Sequence, residues 1–224
     1  MLRAAASWHG PCMELPRVRA IFKMPSIPFP AATDPQGNRS RVFWGDIAPC
    51  EHLVQIYQDD GVFFDSLEGF VGGGLAAGDG VIVIATSAHI AQLESRLKRR
   101  GVSLALPLAT DQYIPLDAET AMAKFLVDGW PDEARFERMV RQLLARARSN
   151  GRRVRAFGEM VALMWAQGLN GATVRLEHLW HRLCHREGFS LFCAYPRSGF
   201  TQDADASIKE ICETHSRVVS GEFA

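Results

Sequence analysis

The stretch Arg155-Ala-Phe-Gly-Glu-Met-Val-Ala-Leu-Met-Trp165 places the tightest constraint on how this chain can fold. Its first half reads as a short apolar strand and its second as an apolar helix, with one carboxylate, Glu159, at the junction. Apolar residues on both sides mean that strand and helix are both buried, as in a parallel sheet covered on its two faces. In open α/β sheets, ligands bind in the crevice beyond the carboxyl ends of the strands. A lone acid there, among Phe157, Met160 and Trp165, has to be paired, hydrogen-bonded or neutralised, because an isolated buried carboxylate is very costly. Glu159 is therefore either a ligand contact or half of a structural lock. For the lock, the candidates are an ion pair with Arg155 or Arg175, or a cap on its own helix N-terminus.

The alternation of strand and helix continues along the chain. Leu53–Tyr57 reads as a short strand. Phe63, Phe64, Leu67, Phe70 and Val71 follow at helical spacing, and that helix is expected to end at Gly72-Gly73-Gly74. Gly80–Thr86 is a continuous apolar strand. Ser87 is placed to cap the next helix, with Ile90, Leu93 and Leu97 inward. Tyr113–Leu116 is an edge-like strand marked by Pro115, and Asp117 is expected to cap a helix running through Phe125 and Leu126. Pro131 is expected to open a longer helix carrying Phe136, Met139, Val140, Leu143 and Leu144. A strand at 153–157, the helix from Glu159 to Ala166, a glycine break and a helix with Leu176, Leu179, Trp180 and Leu183 come next. Phe189–Tyr195 is the last strong strand, closed by Pro196, before a short helix between Ala206 and Ser216. Strands joined by helices require crossover connections. The expected fold is a three-layer α/β sandwich around a mainly parallel sheet of about five or more strands.

Residues 1–47 differ, with Pro11, Pro16, Pro28, Pro30 and Pro35 breaking any period. They read as a poorly ordered extension, with Met24 as an alternative start. Residues 48–218 form the expected domain and 219–224 a tail.

Several classes of function are disfavoured by composition. The formal net charge is zero, which argues against direct nucleic-acid binding. Arg96, Arg99 and Arg100, like Arg141, Arg146 and Arg148, read as solvated helix faces. Cys12, Cys50, Cys184, Cys193 and Cys212 are scattered, with no CxxC pair, so neither a disulfide framework nor a zinc cluster is signalled. Cys193 reads as a small hydrophobe in a strand. No apolar run is long enough for a membrane span, and the N-terminus has no apolar signal core. A reducing cytoplasm is the expected location. His178, His181 and His185 have metal-ligand spacing on one helix, but no carboxylate or cysteine cluster stands near them in sequence. They read as a solvated face, and neither metal nor cofactor is expected.

Together, His52-Leu-Val-Gln-Ile-Tyr57, Gly80-Val-Ile-Val-Ile-Ala-Thr86 with His89, Phe125-Leu-Val-Asp-Gly129, the Arg155–Trp165 stretch, Leu176-Glu177-His-Leu-Trp180, Leu191-Phe-Cys-Ala-Tyr-Pro196 and Ile211-Cys-Glu-Thr-His215-Ser216 carry a resemblance. In that order they resemble the MEDS domain, a sensory domain named for methanogens, methylotrophs and a dichloromethane-responsive regulator. The resemblance covers roughly residues 48–218. It implies a RecA/KaiC-like fold and sensing of small, hydrocarbon-derived ligands, often in chains with histidine kinases or DNA-binding domains. Too few residues flank the domain here for either, so output is expected through a partner: a histidine kinase, a transcription regulator or a second copy.

A RecA-like nucleotide site needs a glycine-rich loop after the first strand, followed by Lys and Ser/Thr. Tyr57-Gln-Asp-Asp-Gly61 offers two carboxylates there instead, with no lysine. ATP hydrolysis is therefore not expected, although a degenerate nucleotide-binding protein and a pure interaction module are kept as alternatives. No catalytic residue is assigned. The residues expected to line a ligand crevice at the carboxyl edge of the sheet are Tyr57, Asp59, Thr86, His89, Glu159 and Tyr195. A further expectation is conditional: if Glu159 and Glu177 approach one another, one of them titrates high.

Overall fold

The computed structural model describes residue 44, residues 47–200 and residues 204–219. In chain order the elements are β1 (His52–Tyr57), α1 (Asp60–Ala76), β2 (Gly80–Ala85), α2 (Ser87–Arg99), α3 (Ala105–Ala109), β3 (Tyr113–Asp117), α4 (Ala118–Met122), β4 (Leu126–Val127), β5 (Trp130–Pro131), α5 (Glu133–Ala147), β6 (Val154–Gly158), α6 (Met160–Ala166), α7 (Asn170–Glu187), β7 (Ser190–Pro196), α8 (Ala204–Glu213) and β8 (Arg217–Val218). Six of the strands form one sheet in the order β3-β2-β6-β7-β1-β8, and every pairing in it is parallel. β4 and β5 make a separate antiparallel pair. The parallel α/β architecture expected from the alternating pattern is thus present.

Strand periodicity divides the interior into two cores. Val54, Ile56, Ile82, Ile84, Leu191 and Cys193 face α4 to α8. Leu53, Val81, Val83, Phe157, Phe192 and Ala194 face α1 and α2. The connections from β1 to β2 and from β2 to β3 step one way across the sheet, with α1 and α2 on one face. The connections from β3 to β6, β6 to β7 and β7 to β8 step the other way and run over the opposite face. Reversing direction and face together keeps every crossover of one hand.

Four local expectations are corrected. α1 does not end at Gly72–Gly74; it runs through all three to Ala76. Gly73 and Gly74 are there for close packing. A Cβ on Gly73 would lie 2.8 Å from the Trp44 carbonyl oxygen, and one on Gly74 would lie 2.6 Å from Cδ of Arg155. Each glycine costs the helix about 1 kcal/mol against alanine, and the contacts that it admits offset that cost. The cap of α2 is Thr86, whose side chain accepts from the His89 N–H, so Ser87 is already inside the helix. Asp117 does cap a helix, but α4 stops at Met122, and the Phe125–Leu126 region turns into the β4–β5 pair. Pro131 sits in β5, and Asp132 caps α5.

Trp44 and Ile47, inside the expected extension, are buried in the core against α1. The remaining residues up to 46 and those beyond 219 lie outside the described residues. The Trp44 carbonyl accepts from Nη1 of Arg155 at 2.7 Å, and the Phe70 carbonyl accepts from the same nitrogen at 3.2 Å. The Arg155 Nε donates to Asp79 at 3.0 Å. Burial lowers the Arg155 pKa, and the Asp79 carboxylate pulls the other way. Three groups, two carbonyls and a carboxylate, share this one guanidinium, whose fixed fork suits such a hub.

Candidate functional site

Adjacent strands β2 and β6 send the chain to opposite faces of the sheet, β2 into α2 and β6 into α6. Such a divergence opens a crevice at the carboxyl ends of the strands. Thr86 and Glu159 are the first residues beyond β2 and β6 and stand side by side there. The Glu159 N–H donates to the Ile84 carbonyl at 2.8 Å, continuing the ladder. Glu159 Oε2 accepts from the Thr86 N–H at 2.9 Å. Its other oxygen, Oε1, lies 2.7 Å from Nδ1 of His89. Contact with the Glu159 carboxylate raises the His89 pKa, burial opposes it, and Asp60 adds to the rise.

Glu159 is thus locked to neither arginine. Arg155 holds Asp79, Arg175 holds Glu133, and Glu159 makes no side-chain cap to its own helix. Phe63 and Phe64 pack on the His89 ring, and Tyr57 stacks on Phe63 with ring centroids 4.7 Å apart. Burial raises the Tyr57 pKa, and the Glu159 carboxylate adds to it. Tyr57, Thr86, His89 and Glu159 therefore meet at one rim, with His89, 27% exposed in its side chain, as the solvent-facing member. Asp59 stands on the same edge, but its carboxylate caps α1 by accepting from the Val62 N–H at 3.2 Å.

Tyr195 is not part of this rim. Strand alternation puts it with Leu191 and Cys193 on the opposite face, where its hydroxyl donates to Oε1 of Glu177. Glu177, from α7, is fully surrounded. Nε2 of His52 and Nε2 of His215 each lie 3.5 Å from its Oε2, and the Cys193 thiol lies 3.7 Å from the same oxygen. Burial pushes the Glu177 carboxyl up, but His215, His52 and the Tyr195 hydroxyl outweigh it and bring the pKa down to about 2. Burial and the neighbouring His215 bring His52 down to about 3. Burial raises the Cys193 thiol, with Glu177 adding to the effect. Glu159 and Glu177 have separate partners and do not form a carboxylate pair.

The side chains converging with Glu177 went unassigned in sequence because their positions, 52, 177, 193 and 215, are far apart along the chain. The signal was nonetheless present: four of the segments that carry the family resemblance each send one of these residues inward. His181 borders the cluster, its ring 5.8 Å from that of His52, so the helical histidine row is not wholly a solvated face.

The family model for MEDS, the MEthanogen/methylotroph, DcmR Sensory domain, matches residues 51–216. This chain belongs to the MEDS family. The match spans β1 to the end of the α8 segment and includes both carboxylate sites, so each lies within the MEDS domain itself. Membership makes the chain a sensory domain with a signalling role. No curated protein matches it. Among the described residues no helix is long and apolar enough to cross a membrane.

Proposed function

We propose that this MEDS domain binds a small, largely apolar ligand with one polar end at the carboxyl rim of β2 and β6, and signals through a protein partner without catalysing a reaction. The observation that carries the reading is Glu159, which bridges the Thr86 amide and His89 where the chain diverges to the two faces. A carboxylate holding a histidine at a half-open edge presents both an acceptor and a donor to a hydroxyl or similar group. The rings of Phe63, Phe64 and Tyr57 supply an apolar wall beside them. Small-molecule sites commonly combine such a wall with a few fixed polar groups. The acidic turn at Asp59 and Asp60 supports a ligand other than a triphosphate, because the Asp59 carboxylate takes a helix N-terminal amide that a phosphate would need. A histidine kinase, a transcription regulator or a second copy of the chain fits as the partner that receives the signal.

Native mass spectrometry of the protein purified from its own host tests this reading. The expected result is a co-purifying small molecule in the wild type that is reduced about tenfold or more in Glu159→Gln, as loss of a charge-assisted contact implies. Equal retention by the variant would contradict the site.

A further inference from the structure

We propose that His52, Glu177, Cys193 and His215 form a buried binding site for one zinc-class divalent cation, separate from the rim. One donor atom from each of these four side chains lies within 4.8 Å of the others. Tetrahedral zinc has bonds of about 2.0–2.1 Å to nitrogen or oxygen and about 2.3 Å to sulfur, so neighbouring donors stand roughly 3.3–3.6 Å apart. The distances from Glu177 Oε2 to His52 Nε2 and to His215 Nε2 are both 3.5 Å. Cys193 Sγ lies 3.5 Å from His52 Nε2 and 3.7 Å from Glu177 Oε2. Three of these edges of the donor tetrahedron thus already have coordination spacing and the fourth, at 3.7 Å, is slightly longer, while the two carboxylate–imidazole edges, at 3.5 Å, are too long to be good hydrogen bonds.

The proton positions point the same way. His215 Nδ1 lies 2.7 Å from the Ile211 carbonyl, which can only accept, so Nδ1 carries the proton. Nε2 then faces Oε2 of Glu177 at 3.5 Å: a second proton on it pairs with the carboxylate, and in the neutral ring it is a lone pair open to a cation. Something positive is needed between the two, either that proton or a metal ion. An Nδ1–H held by a backbone carbonyl is also how ligating histidines are commonly oriented. Nδ1 of His52 has no partner among the described residues, so the ring proton belongs on Nε2, toward Glu177 and Cys193, and a bound cation would take the place of that proton. The Tyr195 hydroxyl, on the other oxygen of Glu177, fixes the carboxylate as an outer-shell group does.

Charge supports the assignment. A divalent cation with one thiolate and one carboxylate is neutral overall, so it would replace the His215 proton in balancing the buried Glu177 carboxylate. Binding requires the Cys193 thiol to lose its proton to solvent, which the cation makes favourable. Two imidazoles, a thiolate and a carboxylate suit zinc over calcium or magnesium, which prefer oxygen donors. The site would tie β1, β7 and α7 to His215, immediately before β8. That short strand is held to β1 by the amides of Ser216 and Val219, at 2.8 and 2.7 Å from the carbonyls of His52 and Val54. Loading would therefore clamp the carboxyl-terminal segment onto the sheet.

The test uses the full chain, stripped with chelator and titrated with cobalt(II) and then zinc. The expected result is one equivalent bound, with the intense visible bands of tetrahedral cobalt and a thiolate-to-cobalt charge-transfer band, both displaced by zinc. Cys193→Ser should lose the charge-transfer band. His215→Ala, which changes a residue outside the sheet, should weaken zinc binding by about 100-fold or more. Absence of stoichiometric uptake by the wild type, an octahedral cobalt spectrum, or a charge-transfer band that persists in Cys193→Ser would overturn the proposal. Should Cys193→Ser fail to fold, the wild-type spectrum and His215→Ala still decide it.

Discussion

Glu159 and Glu177, two of the buried glutamates, are kept in different ways. Glu159 sits at the rim with a backbone amide and a partly exposed histidine, whereas Glu177 is enclosed by two histidines, a thiol and a phenol. The rim pair gives a pH signature with a definite sign. Beside Glu159, the charged group acting on His89 is Asp60, and the ring faces in contact are Phe63 and Phe64. The folded-state pKa of His89 is raised above its ordinary value of 6.5. The stability contributed by the pair is therefore fully present below that ordinary value and is lost as pH rises through the raised midpoint. Titration of the His89 ring by NMR should place its midpoint above 6.5 in the wild type and bring it down in Glu159→Gln. An unchanged midpoint in the variant would mean that Glu159 does not set it.

At the level of elements, strands were easier to read than the ends of helices. Gly80–Ala85 and Ser190–Pro196 announce themselves as apolar runs because both of their faces are covered. The edge strand β8 has only two residues, both exposed, and carries no such signal. The glycine run in α1 was misread because a breaker in isolation and a packing glycine are the same residue in sequence; only Trp44 and Arg155, distant along the chain, tell them apart. Thr86 was visible as a rim residue, but its capping role was not, since Ser87 has the same chemistry one position later. Tyr195 was placed at the rim from its position along β7. Its parity with Cys193 would have sent it to the other face. Gly80 provides a test of packing at a strand start. A Cβ there would lie 2.4 Å from the Ala147 backbone oxygen, which closes α5. Gly80→Ala should cost roughly 1–3 kcal/mol in chemical denaturation, as overpacking against backbone does. A neutral effect would show that α5 can shift away freely.

Across the whole molecule, one sheet separates two chemistries. The face toward α1 and α2 ends in the rim at which β2 and β6 diverge, while the face toward α7 and α8 encloses Glu177. A domain that senses must connect a recognition surface to an element able to move. The rim is reached by solvent through His89, and the carboxyl-terminal segment is attached to β1 by a few hydrogen bonds around Ser216 and Val219. Both ends of that arrangement were contained in the sequence motifs, but their convergence was not, because it depends on a strand order that interleaves β6 and β7 between β2 and β1.

The most direct measurement is a titration of the isotope-labelled full chain with methanol, ethanol and dichloromethane, following the Thr86 amide and the His89 ring by NMR. The Thr86 amide donates to Glu159 and so reports on that carboxylate. Both signals should move together and saturate with at least one of these molecules, while amides at the opposite ends of the strands stay still. If Thr86 and His89 remain fixed while saturable shifts gather elsewhere, the rim of β2 and β6 is not where this domain recognises its ligand.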